Sequence, residues 1–176
     1  MDEIKKESKI KRDLDKFERW VLNPIGDIIN SEKTHFPAFI LIAVAIDMLS
    51  NMRYSSSLTF WSLKPKLSKK YINFIKTYFP PGYYKISSNL YHDFRCEILH
   101  SFSLRKFDLG QHDKCRHLQK TKDKRKKIYL KSSEMYKDLI GAYEKYKSEL
   151  IGDNRKDEVV AEYMKGAGRK EWTHTE

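Results

Sequence analysis

Arg95 and His100 stand five positions apart in the run Leu90-Tyr91-His92-Asp93-Phe94-Arg95-Cys96-Glu97-Ile98-Leu99-His100. A guanidinium is always cationic and its planar fork can hold two phosphate oxygens. An unperturbed imidazole titrates near pH ~6.5 and can take or give a proton. Together they suit a reaction in which charge accumulates on phosphate while a proton moves. Other side chains could support them. Asp47 is the one carboxylate in an apolar stretch, where an ionised group is costly unless paired, so an Arg or a Tyr hydroxyl is its expected partner. Tyr91, Cys96, Glu97 and Asp93 flank the pair.

These residues must be held by helices. Leu90, Tyr91, Phe94, Ile98 and Leu99 form an apolar stripe after a possible cap at Ser87 or Ser88, so the Arg/His run reads as a helix. Five α-helical steps leave Arg95 and His100 about 140° apart around the axis and about 7.5 Å apart along it. They do not share one face, and a two-fold axis near this helix would bring Arg95 of one copy toward His100 of another.

The rest of the chain is also patterned for helices. Ile10, Leu14, Phe17 and Val21 predict a first helix over 9–22, closed by Pro24 and Gly26. Residues 38–49 are apolar on nearly all sides and read as a helix packed centrally in a bundle. Polar turn-forming residues follow over 51–57. Ser68 caps a helix carrying Tyr71, Phe74, Ile75, Tyr78 and Phe79, which Pro80, Pro81 and Gly82 end. Residues 133–150 form the last strong helix, with Gly152 just beyond it. Two short apolar segments, 104–107 and 128–130, flank a polar stretch and are read as a small β-hairpin or as loop. The expected fold is all-α and a single domain over residues 1–150, with 151–176 a polar, loosely ordered tail.

A chain of 176 residues with 40% apolar residues has enough material for one core, which sets aside disorder and disulfide-stapled miniproteins. Two cysteines and a charged start predict a cytoplasmic protein, and the longest apolar run, 36–46, is too short to span a bilayer, so no membrane partner is expected. The net charge of +11 calls for an anionic partner. Residues 101–131 alone hold eleven Lys plus Arg against three Asp. Lys120, Lys122, Lys124, Arg125, Lys126 and Lys127 crowd into eight positions there, suited to contact a phosphate backbone irrespective of sequence. Tyr71, Tyr78, Tyr83, Tyr84 and Tyr91 could stack bases, although aromatic residues at helical spacing more often fill a core. His92, Cys96 and His100, with Cys115 and His117, offer metal-ligand types, but their spacing matches no standard zinc motif, so no metal or cofactor is expected.

A helical chain with an aromatic helix ending in Pro-Pro, the Leu90–His100 run with its R-x-x-x-x-H spacing, and a final amphipathic helix resembles a HEPN domain, here over roughly residues 38–150. The resemblance implies a helical bundle that dimerises with two Arg/His motifs facing each other. Many such proteins are metal-independent endoribonucleases of toxin, anti-phage or stress systems, and others hold RNA, a nucleotide or a partner such as an antitoxin without cutting. Carried over, the motif makes Arg95 and His100 the catalytic pair. RNA cleavage would then proceed by 2′-hydroxyl attack, and the expected partners are RNA and a second copy of the chain, with a cognate antitoxin or regulatory protein besides. Active members usually carry Asn, Asp or His after the motif Arg, where this chain has Cys96.

Overall fold

The computed structural model describes residues 3–31, 35–54, 67–100, 104–111, 115–122 and 124–167. Its first helix does not stop where Pro24 and Gly26 were expected to close it. Helix α1 (Glu3–Phe17) passes through a π turn (Glu18–Leu22) into α2 (Asn23–Asn30). A proline inside a helix lacks the N–H and collides with the carbonyl four residues back. The π turn relieves this by bonding one residue further, so that the Asn23 amide donates to the Glu18 carbonyl. The Leu22 carbonyl accepts from the Tyr136 hydroxyl at 3.1 Å. Gly26 makes that approach possible, since a Cβ there would stand 2.9 Å from the same oxygen.

Helix α3 (Phe36–Arg53) runs through the centre as expected, with Phe39, Ile42, Ala43, Ala45, Ile46 and Leu49 buried. Its 18 residues, of mean hydropathy 1.5, meet the length and composition of a membrane span. In the fold they pack against α2, α7 (Ser132–Ile151), α8 (Asp157–Ala167), α4 (Leu67–Tyr78), the π turn at Glu18–Leu22 and a further one at Leu90–Cys96. Tyr71, Phe74, Ile75, Tyr78 and Phe79 of the α4 stripe are all buried, and the helix stops before Pro80 and Pro81. Asn51 to Arg53 extend α3 rather than turning, and residues 55–57 lie outside the described residues.

A 3₁₀ turn (Pro81–Ile86), the short α5 (Ser87–Asn89), a second π turn (Leu90–Cys96) and α6 (Glu97–His100) then form one continuous helical path. Leu90, Phe94 and Ile98 face the core.

The expected hairpin is replaced by a different pairing. Strand β1 (Phe107–Gly110) lies parallel to β2 (Ile128–Lys131), in register from Phe107 with Ile128 to Gly110 with Lys131. The antiparallel partner of β2 is the nearer segment around Leu118 to Thr121, with Leu118 N–H donating to Tyr129 O at 2.8 Å and Tyr129 N–H to Gln119 O at 2.8 Å. A hairpin needs a short reversal, which the Thr121 N–H closes by donating to Lys127 O at 2.7 Å, whereas parallel strands need a longer connection.

Helix α7 buries Met135, Leu139, Ala142, Tyr143, Tyr146 and Leu150 and ends at Gly152, where a Cβ would stand 2.8 Å from the Ser148 backbone. The expected loose tail instead begins with α8, which buries Val159, Val160 and Tyr163. Four buried tyrosines hand their hydroxyls to carboxylates on other elements: Tyr78 to Glu149 at 2.5 Å, Tyr83 to Asp138 at 2.8 Å, Tyr143 to Glu18 at 2.6 Å and Tyr163 to Asp13 at 2.7 Å. Buried phenols need such partners, because an unmatched polar group forfeits its hydration without return.

Candidate functional site

Asp47 reaches out of α3 to the second π turn, where the Arg95 Nη2 donates to its Oδ2 at 2.6 Å. The side chains are 17% and 21% exposed, so the pair is half-sheltered rather than sealed. Burial pulls the guanidinium's pKa down, and the Asp47 carboxylate more than offsets this, leaving it above its ordinary value. The guanidinium lies 5.7 Å from the Tyr91 ring centre, and that ring meets Tyr71 edge-on at 5.5 Å. Cys96, next to Arg95 in the chain, interacts with both Tyr91 and Arg95. Asp47, Tyr91, Arg95 and Cys96 thus come together. The pairing of Asp47 with an arginine follows the expectation for a carboxylate among apolar neighbours.

This cluster is also where the fold leaves polar atoms unmatched. Among the described residues, four buried side-chain polar atoms have no hydrogen-bond partner, and three of them are Asp47 Oδ1, Arg95 Nε and the Tyr71 hydroxyl. Tyr71 was expected to fill the core or stack on a base. It does lie fully buried, but with its hydroxyl unbonded. Burial and the nearby Asp47 charge both push that phenol up.

His100 does not join the cluster. It is exposed at the last residue of α6, while Arg95 turns to Asp47, so the chain presents the two groups to different surroundings. Glu97 is engaged elsewhere, accepting from the Arg105 backbone at 3.1 Å with the Arg105 Nε at 3.4 Å. Asp93 accepts from Asn89 at 2.8 Å and pairs with Lys106 at 3.1 Å; burial raises its carboxyl, but these two contacts prevail and hold it below its ordinary value.

Arg105 and Lys106 therefore moor the sheet to the motif helix. Lys127 Nζ donates to Leu104 O at 2.7 Å, Ile128 N–H to Lys106 O at 2.8 Å, and Phe107 packs edge-on against Phe94 at 5.9 Å. Beyond this mooring Lys120, Lys122, Lys124, Arg125 and Lys126 are exposed. The basic segment is the tip of a hairpin anchored beside the Arg95 helix. Among the described residues no three His, Cys, Asp or Glu side chains gather as a metal site. His92, Cys96 and His100 would share one face of an α-helix, and the π turn over Leu90–Cys96 departs from those steps. A pocket of about 380 Å³ lined by His35, Phe36, Phe39, Leu109, Gly110 and Gln111 contains none of the candidate residues.

One network carried no signal in the sequence. His117 Nδ1 accepts from the Lys131 backbone at 2.9 Å, which leaves the proton on Nε2, 2.8 Å from the Tyr83 hydroxyl, and Tyr83 donates onward to Asp138. Burial pushes the His117 imidazole down to about 4, against the pull of Glu134. Between pH 6.5 and about 4 the unfolded chain therefore carries a proton that the folded one refuses, and acid drains stability by roughly 3 kcal/mol across that window. Asp138, raised by burial, binds its proton first in the folded state and offsets part of this at the acid end. The melting temperature of the wild type should fall from pH 7 to pH 5, with a shallower fall for His117→Gln. Equal slopes would assign the effect to other groups.

Compared with protein-family models, curated proteins and solved structures, the chain finds no match in any of the three.

Proposed function

We propose that this protein is a HEPN-type, metal-independent endoribonuclease of the cytoplasm, acting as a homodimer in a toxin or defence role. The observation that carries this reading is a half-sheltered guanidinium, Arg95, on the same helical path that ends in an exposed imidazole, His100, with a basic hairpin moored alongside.

The ribose 2′-hydroxyl attacks the adjacent phosphorus and the bond to the 5′ oxygen breaks. His100 takes the proton of the nucleophile or gives one to the leaving oxygen. Arg95 holds the non-bridging oxygens as their charge grows. The products are a 2′,3′-cyclic phosphate and a 5′-hydroxyl, and DNA, lacking the nucleophile, is untouched. Since Arg95 and His100 face different surroundings within one protomer, a two-fold partner completes the site.

A second reading has a specific observation in its favour. Arg95 is already committed to Asp47, and Cys96 follows it, as suits a module that holds RNA, a nucleotide or an antitoxin without cutting.

Cleavage of RNA by purified protein in EDTA separates the two. The hairpin has its own test, because each phosphate contact to a single strand adds about 0.7 to the slope of log affinity against log salt. Replacing Lys122, Lys124 and Arg125 together by alanine should weaken RNA binding for all sequences alike and lower that slope by about 2. An unchanged slope would mean that the hairpin does not touch the backbone.

A further inference from the structure

Four buried tyrosines donate to carboxylates, whereas Tyr71 has a donor hydroxyl with no acceptor and Asp47, on the adjacent helix α3, has an acceptor oxygen with no donor. The two are chemically matched, and what draws the carboxylate away is Arg95, which holds it through Oδ2. Unmatched buried atoms cost stability, so three of them around one ion pair mark an arrangement with a second bonding state.

Arg95 must change partner to serve a phosphate. A phosphate and Asp47 on the same fork would set two anions side by side, and an Asp47 deserted by Arg95 would be an uncompensated carboxylate among apolar residues.

We propose that Tyr71 is a positioning residue: its hydroxyl takes over the Asp47 carboxylate when Arg95 leaves to bind an RNA phosphate. The proposal rests on the phosphate-binding part of the reading above, but not on cleavage. In the unliganded state Asp47 sheathes Arg95 and Tyr71 stands unbonded. In the RNA-bound state Tyr71 donates to Asp47, and Arg95 is released with its charge intact. Asp47 is then a brake on affinity and Tyr71 the group that makes its release affordable.

The test measures binding of a 2′-O-methylated RNA oligonucleotide, which cannot be cut, together with thermal melting and a parallel cleavage assay on unmodified RNA. Tyr71→Phe should weaken binding by about three- to tenfold, with no loss of melting temperature, because the hydroxyl bonds nothing in the free protein. Asp47→Asn should bind at least as tightly as wild type, since Arg95 no longer has to leave a full charge. In the Asp47→Asn background, Tyr71→Phe should matter less than twofold, a coupling that a merely structural tyrosine would not show.

Unchanged binding by Tyr71→Phe, or an equal effect in both backgrounds, overturns the exchange even if the wild type cuts RNA. Coupling without cleavage upholds the exchange and removes the nuclease. Absence of RNA binding by the wild type overturns both. Should Asp47→Asn not fold, Tyr71→Phe against Arg95→Lys supplies the cycle, with the same weakening expected only where the arginine fork is present.

Discussion

Replacing His100 by alanine is expected to remove RNA cleavage in EDTA, by about 10²-fold or more, while leaving the melting temperature where it was. The size follows from what a positioned acid or base contributes to proton transfer, about 10²–10⁴-fold. The unchanged stability follows from exposure, since truncating a solvent-facing side chain creates no cavity and strands no buried partner.

The same variant tests whether the site is shared. If Arg95 of one copy works with His100 of the other, equal amounts of Arg95→Ala and His100→Ala form heterodimers with one intact site, and the mixture should regain about a quarter of wild-type activity. Two groups working within one protomer would give no recovery. Residual cutting by His100→Ala at the wild-type rate would end the catalytic assignment of the imidazole.

The second large effect is on stability. Arg95→Ala strips Asp47 of its cation and leaves a carboxylate, one of whose oxygens is already unbonded, against the apolar body of α3. Breaking a fully buried ion pair costs about 3–5 kcal/mol. With both side chains about a fifth exposed, water recovers part of this, and about 2 kcal/mol is expected. The melting temperature should drop by roughly 4–8 °C for a chain of this size. Replacing both partners, Asp47→Leu with Arg95→Met, should restore most of it, because an apolar pair needs neither charge nor bond. If the single variant melts like the wild type, the pair is superficial and the exchange with Tyr71 loses its physical basis.

The sequence made these residues findable because polarity stands out where the pattern is apolar. Asp47 is conspicuous in a stretch of Ala, Ile, Leu and Val, and a carboxylate in such surroundings requires a cation. Helices α4 and α7 were legible because their apolar stripes are long enough to fix a period, and α3 because its run is apolar on nearly all sides.

What stayed hidden is what composition does not encode. A π turn shifts the hydrogen-bond register without a distinctive residue set, so Pro24 read as a stop and the Arg/His run as ordinary α-helix. Parallel and antiparallel pairing draw on the same short apolar segments, and only the path between them decides which forms. In α8 the stripe that is buried, Val159, Val160 and Tyr163, is too short to outweigh the polar run before it. The missing bond of the Tyr71 hydroxyl belongs to packing, since in sequence Tyr71 is indistinguishable from Tyr78.

The π turn at Leu90–Cys96 also changes what kind of mutation this protein can absorb. Its wide turn accommodates one residue more than an α-helix would. Losing one of residues 91–93 would let the segment close into ordinary register with the helix on either side kept in phase. Arg95 and His100 would stay five residues apart. The wide turn is thus a place where chain length can change by one residue without parting the pair, so the segment should tolerate a deletion better than an ordinary α-helix would.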